Sequence, residues 1–225
     1  MKREFEHVVK IVLLGWTLSG CSVLRDAIFE RESKLAPLQS AMLGQTRRDE
    51  IIKQLGPPQE IDERWFDTFR SEVLFYYDQS VANDGSSRIQ YKFLACEFNK
   101  GALTGYAFHD SSDARAKDFD AKERSKLVKG KTTRREVESL LGVPSGRALL
   151  PSTLTLPALD LKLAGAPFPL ARLPEGAKEV WQYYTQNFDD ALRKSSQKSL
   201  SLFFDENGLF IESSLFQDLM GKTSF

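Results

Sequence analysis

The sequence predicts an α+β fold of two tandem units, each with two helices packed on a small antiparallel β-meander. Three observations predict it: a segment that occurs twice, apolar residues at helical spacing inside each copy, and alternating apolar strands after each helix. At 41% hydrophobic and 11% aromatic residues, the 225-residue chain has enough apolar side chains for one large core or two small ones.

The first twenty-one residues combine a basic head with a short apolar run that ends at a cysteine. A head containing Lys2 and Arg3 precedes an apolar run of about eight to ten residues, which is too short to span a bilayer. The run ends in Leu18-Ser19-Gly20-Cys21, which resembles a lipobox, where the cysteine thiol accepts the lipid. We predict a signal peptide at 1–20 and lipidation of Cys21. The competing interpretation is an amphipathic helix with a buried cysteine.

The predicted anchor implies a location. Ser22 follows Cys21, and by resemblance to the sorting rule of enterobacterial lipoproteins this favours the outer membrane, on its periplasmic face. One acyl chain binds a membrane only marginally, and lipoproteins of this kind carry several. We expect a membrane partner reached through covalent lipid on Cys21, no other cofactor, and a tether at 21–36.

Composition excludes several function classes. The 31 basic and 31 acidic side chains balance, which argues against a nucleic-acid partner. Two histidines and two cysteines leave no residue to spare for a Cys/His zinc site or a disulfide framework, so we expect no metal. Cys96 lies in an apolar run typical of a core hydrophobe. The carboxylate clusters at 118–123 and 189–190 lie in charged stretches, and no phosphate loop or nucleophile elbow occurs. We therefore predict a non-enzymatic protein.

An internal repeat organises the rest of the chain. Residues 44–58 align without a gap with residues 130–144, and the aromatic strand 72–77 aligns with 179–184. The second copy therefore carries an insertion between its helix and its strand. We predict a first unit at 37–112, a second unit at 113–217 with the insertion at 145–178, and a C-terminal tail at 218–225.

The repeat predicts a helix, a glycine corner and a second helix in each copy. The preceding helices are drawn at Ser33–Leu43 and Asp113–Val128. The corner, cap, apolar stripe and stop of the second helix use matching residues: Gly44, Thr46, Ile51, Leu55, Gly56 and Pro58 in the first copy, and Gly130, Thr132, Val137, Leu141, Gly142 and Pro144 in the second. Thr133 is an alternative cap through a capping box. A slip in apolar phase suggests a β-bulge near Phe93.

These residues, behind a lipobox and before a Tyr-Tyr strand, resemble the SmpA/OmlA (BamE-like) family of outer-membrane lipoproteins. The resemblance implies units of two helices on a small antiparallel sheet. It also implies a scaffold or accessory role in outer-membrane protein assembly or envelope integrity, with envelope assembly proteins as partners. The tandem architecture is also similar to the β-lactamase inhibitor proteins. That similarity implies the alternative function, an anchored inhibitor or binding module for an extracytoplasmic protein.

The insertion is unusually apolar for a loop. Each of its leucines would gain roughly 1.5–3 kcal/mol from burial. It either folds back over its own domain or forms an exposed patch that meets a partner protein or a lipid surface. On the second interpretation the partner-binding residues are Leu154, Leu156, Leu161, Leu163, Phe168 and Leu170. The arginine pairs at 47–48 and 134–135 are expected to be solvated.

Overall fold

In the computed structural model, the eight strands of the described residues form one continuous antiparallel sheet, in chain order. The structure describes residues 38, 40–66, 68–81, 89–110, 119–154, 173–189 and 194–220. The helices are α1 (Arg48–Leu55), α2 (Arg134–Leu141) and a 3-10 helix (Ala121–Lys126). The strands are β1 (Glu60–Phe66), β2 (Phe69–Val81), β3 (Ile89–Asn99), β4 (Ala102–Asp110), β5 (Gly146–Leu149), β6 (Glu179–Asp189), β7 (Lys194–Phe204) and β8 (Phe210–Met220).

The predicted fold class, two units each with two helices on its own small meander, is wrong. The described chain is mostly one sheet, with one α-helix in each half. The halves merge because β4 pairs with β5, with Tyr106 opposite Arg147. Small residues flank that pair: Gly105 is opposite Ala148, and Ala107 is opposite Gly146.

The junction between β4 and β5 depends on two glycines. A Cβ atom at Gly105 would lie 2.7 Å from the Ala148 Cβ, and one at Gly146 would lie 2.7 Å from the Tyr106 carbonyl oxygen. Both distances are far inside van der Waals contact. The two strands can approach this closely because neither position carries a side chain.

The repeated segment forms the same local structure twice. Gly44 N donates to the Leu103 carbonyl at 2.7 Å, and Leu103 N donates to the Thr46 carbonyl at 2.8 Å. The second copy repeats both bonds, at 2.8 Å each, between Gly130, Phe210 and Thr132. Each corner is therefore tied to the hairpin of its own half, which places the helix that follows against the sheet.

The helix caps differ from the simplest prediction. Thr133, not Thr132, caps α2, and it forms a capping box with Glu136. The Thr46 and Thr132 hydroxyls instead close the corners, by accepting from Met42 N at 3.0 Å and Val128 N at 2.8 Å. The predicted stops are confirmed, since Gly56 and Gly142 take φ of 80° and 81° at the helix ends.

The predicted preceding helices agree with the structure only at two described positions. Leu38 and Ser40 are helical, but residues 41–43 are not, and the segment 119–128 holds only the short 3-10 helix. Phe119 of this segment still reaches the core, where it is 4% exposed and packs against Tyr183. One buried aromatic anchors this charged segment without the apolar stripe that a longer helix needs.

Both helices cover the same face of the sheet. The row Tyr106–Arg147–Trp181 crosses the junction, and cross-strand partners share a face. The α1 core contains Ile51, Leu55, Leu74, Tyr76, Leu94, Cys96, Phe98, Leu103, Tyr106 and Phe108, with Leu38. The α2 core contains Val137, Trp181, Tyr183, Leu200, Leu202, Phe204 and Phe210, with Phe119. We call this the helix face and the opposite side the far face.

The bulge predicted near Phe93 is displaced. The register shifts instead between Glu97 and Phe98, and again between Phe203 and Phe204 in the second half. Phe93 lies on the far face against Phe75. The change in apolar phase along β3 therefore marks a strand covered on both faces.

Gly146→Val should destabilise the chain because the added side chain must push β4 and β5 apart. We expect a loss of about 1–3 kcal/mol in the free energy of unfolding, measured by urea denaturation. Ser214→Val places similar bulk on the exposed surface of β8 and should change stability by less than about 0.5 kcal/mol. Equal midpoints for the two variants would contradict the close-approach account.

Candidate protein-binding surface

The edge strand β1 carries exposed apolar side chains on the helix face. Trp65 is 64% exposed and Ile61 is 51% exposed. Ile61 lies opposite Leu74, which belongs to the α1 core, so the side chains that alternate with it also point to the helix face. A tryptophan this exposed is unusual, since it leaves most of a large ring in water.

Trp65 is held by its neighbours. The Arg70 guanidinium lies over the Trp65 ring at 5.4 Å, and Arg70 Nη2 donates to Glu63 Oε1 at 2.5 Å. Arg70 is opposite Trp65 on β2, so the contact is a direct cross-strand pair. We call Ile61, Glu63, Trp65 and Arg70 the β1 platform.

The repeat shows what is special about β1. Ile61 pairs with Leu74 as Arg147 pairs with Trp181, so β1 and β5 are matching strands in the two halves. β5 has neighbours on both sides, whereas β1 pairs only with β2 among the described strands. The outer edge of β1 is therefore the counterpart of an edge that β4 occupies inside the molecule.

A buried carboxylate holds the start of the insertion to the far face. Glu97 is 0% exposed and accepts from Ser152 Oγ at 2.6 Å, from Thr153 N at 2.7 Å and from Thr153 Oγ1 at 2.5 Å. Thr104 Oγ1 adds a longer contact at 3.4 Å. These bonds carry the chain from β5 across to the first half of the sheet.

The predicted insertion therefore divides in its described part: residues 146–149 form β5 and pair with β6, and residues 152–154 lie against the first half of the sheet. Leu154 is 2% exposed and packs against Val73, Phe75 and Ala95. Leu154 is therefore buried within the protein and is not part of an exposed surface. The other partner-binding residues predicted from sequence lie outside the described residues: Leu156, Leu161, Leu163, Phe168 and Leu170. Cys21 lies outside them too.

One arginine of each pair, Arg48 in the first and Arg134 in the second, is not simply solvated as the sequence predicted. Arg48 pairs with Glu72, and Arg134 Nη2 lies 2.7 Å from Glu179 Oε2 at the matching positions. The repeat itself contains this signal, because the glutamate that opens each aromatic strand also aligns. These ion pairs fix the first turn of each helix to the sheet.

Glu179 is the centre of a larger polar cluster. Its side chain is 5% exposed, and it accepts from Arg147 Nη2 at 3.0 Å and from Trp181 Nε1 at 2.7 Å. Arg147 also stacks on Trp181 at 4.9 Å. Since Arg147 comes from β5, this cluster locks the second half to the strand at the junction.

Burial raises the pKa values of three side chains in the core. Desolvation raises the pKa of Cys96, which suits the core hydrophobe predicted from sequence. It also raises the pKa values of Tyr76 and Tyr183. The two tyrosine hydroxyls donate to the carbonyls of Gly56 at 3.1 Å and Gly142 at 3.0 Å. They tie each helix end to the sheet.

The described residues contain no cluster of three or more His, Cys, Asp or Glu side chains suited to a metal ion. None of the described helices combines the length and apolarity that crossing a bilayer requires.

Comparisons with known proteins do not assign this chain to a family. No family model matches the chain, and a search of curated proteins finds no match. One solved structure is similar, a protein from Streptococcus mutans provisionally assigned as a β-lactamase inhibitor protein. It is 14% identical, with a TM-score of 0.44, over 83% of this chain and 97% of that chain. At that level the likeness does not establish a shared fold, and the resemblance to the SmpA/OmlA family gains no support.

Glu97→Gln should weaken the attachment of the insertion, because an amide NH₂ then faces the Ser152 and Thr153 donors. We expect a loss of about 1–3 kcal/mol in the free energy of unfolding, measured in urea. Glu138→Gln makes the same change on the exposed surface of α2 and should cost less than about 0.5 kcal/mol. A Glu97 variant as stable as the Glu138 variant would contradict the role of this carboxylate.

Proposed function

We propose that the chain is a lipid-anchored, non-enzymatic binding module of the cell envelope, facing the periplasm from the outer membrane. It captures an extracytoplasmic protein through the β1 platform. The observation that carries this proposal is Trp65, 64% exposed and held by Arg70 on the edge of the sheet.

The platform has the physical features of an interface anchor. Tryptophan and arginine dominate the binding energy of many protein interfaces, because each covers a large area from few side chains. The Glu63–Arg70 ion pair holds the arginine over the ring before any partner arrives. A side chain already held in place loses less conformational entropy on binding.

The buried carboxylates support a non-enzymatic function. Glu97 accepts hydrogen bonds from Ser152 and Thr153. Glu179 forms ion pairs with Arg134 and Arg147 and accepts a hydrogen bond from Trp181. Each of these acids is already engaged by groups of the fold.

The location rests on the lipobox and is compatible with the folded part of the chain. The core begins at Leu38, which is 0% exposed. The 17 Cα–Cα steps from Cys21 to Leu38 can span at most roughly 60 Å when extended. The sheet can therefore work at a distance from the lipid surface.

A second candidate is a scaffold or accessory role in outer-membrane protein assembly or envelope integrity. It is favoured by the lipobox together with the repeated glycine corner, which both halves build with matching hydrogen bonds. The two candidates share the anchor and differ in the partner. Barrel-assembly components would support this candidate, and a soluble secreted hydrolase would support capture.

Cys21→Ala should abolish incorporation of labelled palmitate and release the chain from the membrane fraction, because the thiol that accepts the lipid is lost. Cys96→Ala is the matched control, since Cys96 is buried and should leave labelling intact. Labelled palmitate retained in the Cys21 variant would refute the anchor.

Trp65→Ala should reduce capture of the partner at least tenfold, because truncating an interface tryptophan commonly costs about 2 kcal/mol or more. The measurement is crosslinking of the lipidated chain in envelope preparations, followed by quantitative pulldown. Leu140→Ala removes another exposed apolar side chain, on α2, and should leave capture unchanged. Equal capture by both variants would mean that the β1 platform is not the binding surface.

A further inference from the structure

The molecule contains its own example of a strand added to this kind of edge. β4 lies along β5 with Tyr106 opposite Arg147 on the helix face, and with Gly105 opposite Ala148 and Ala107 opposite Gly146 on the far face. Because β1 matches β5 in register, the same geometry can be transferred to the outer edge of β1. A strand added there would place its middle residue opposite Ile61.

The edge of β1 differs from β5 in charge. Glu60 and Asp62 stand where β5 has Gly146 and Ala148. Glu60 is exposed, and Asp62 is paired with Arg64 at 3.1 Å. An added strand therefore meets two carboxylates on the far face, of which Glu60 is the more available.

A second copy of this chain is a poor donor for the edge. By the same register, β8 would place Glu212 opposite Asp62, Ser213 opposite Ile61 and Ser214 opposite Glu60. Like charges directly opposite each other destabilise a strand pair. Serine also offers little contact to Ile61 and Trp65, so head-to-tail pairing of copies is disfavoured at both faces.

We propose that β1 accepts an extended strand from the partner, with Lys or Arg opposite Glu60 and Asp62 and an apolar side chain opposite Ile61. This deepens the proposed function by naming the chemistry of the captured segment. Backbone hydrogen bonds would hold the strand, as when peptides add to exposed sheet edges elsewhere. The cations complement the carboxylates, and the apolar residue covers Ile61 and Trp65.

The test uses probe peptides built on β4. One copies Ala102–Asp110 with lysine in place of Gly105 and Ala107, and its match carries glutamate at both positions. Binding to the full-length chain in detergent is followed by fluorescence anisotropy. We expect the lysine peptide to bind at least tenfold more tightly, since two cross-strand pairs change from repulsive to attractive. The difference should shrink at high salt.

Two controls link binding to this edge. Glu60→Lys should narrow or reverse the preference between the peptides, whereas Glu206→Lys, on the exposed β7–β8 hairpin, should leave it unchanged. Two further versions of the lysine peptide carry N-methyl groups on alternate backbone amides, one on the odd-numbered and one on the even-numbered residues. One version should lose binding and the other should keep it. That asymmetry is specific to strand addition, because only alternate amides face the edge.

The outcomes separate this inference from the proposed function. Equal binding of both peptides, or equal tolerance of both methylation phases, overturns the inference. Loss of capture in Trp65→Ala with no binding of the lysine peptide leaves the proposed function standing and removes strand addition. If Trp65→Ala leaves capture unchanged but the lysine peptide binds in a Glu60-dependent way, strand addition at β1 stands and capture through the β1 platform is removed. Self-association of the unmodified chain that is lost in Trp65→Ala would identify a second copy as the occupant and overturn the inference.

Discussion

The close approach of β4 and β5 is the constraint on which the architecture depends. It joins what would be two four-stranded sheets into one, and it requires that Gly105 and Gly146 carry no side chain. Because the strands meet here, both helices lie on the same face and β5 is enclosed between β4 and β6. Its counterpart β1 remains at the edge of the described sheet, where Trp65 is exposed.

Two buried glutamates stabilise the joined sheet from its two faces. Glu179 gathers Arg134 and Arg147 on the helix face, and so ties α2 to the junction strand. Glu97 binds Ser152 and Thr153 on the far face, and so carries the chain after β5 back to the first half. A buried charge left without these partners would be costly, so each cluster favours a single arrangement of the chain.

The matching edges of β1 and β5 differ in what lies beside them. In the second half, β4 pairs with the edge of β5. In the first half, the matching strand β1 presents Ile61 and Trp65 to solvent. Acidic residues stand on the outer edge where the inner edge has glycine and alanine. An edge that disfavours a copy of itself can remain available to another protein.

The sequence by itself determined the local structure. The glycine corners, the positions of α1 and α2, the helix stops and the aromatic strands follow from φ-permissive glycines and apolar spacing, which act within a few residues. Only the tertiary structure decided how these pieces combine. The pairing of β4 with β5, and the hydrogen bonds that Ser152 and Thr153 donate to Glu97, join residues about forty or more positions apart. Short-range patterns do not encode such contacts. The exposure of Trp65 was decided in the same way, because an edge strand and a central strand can carry the same alternation.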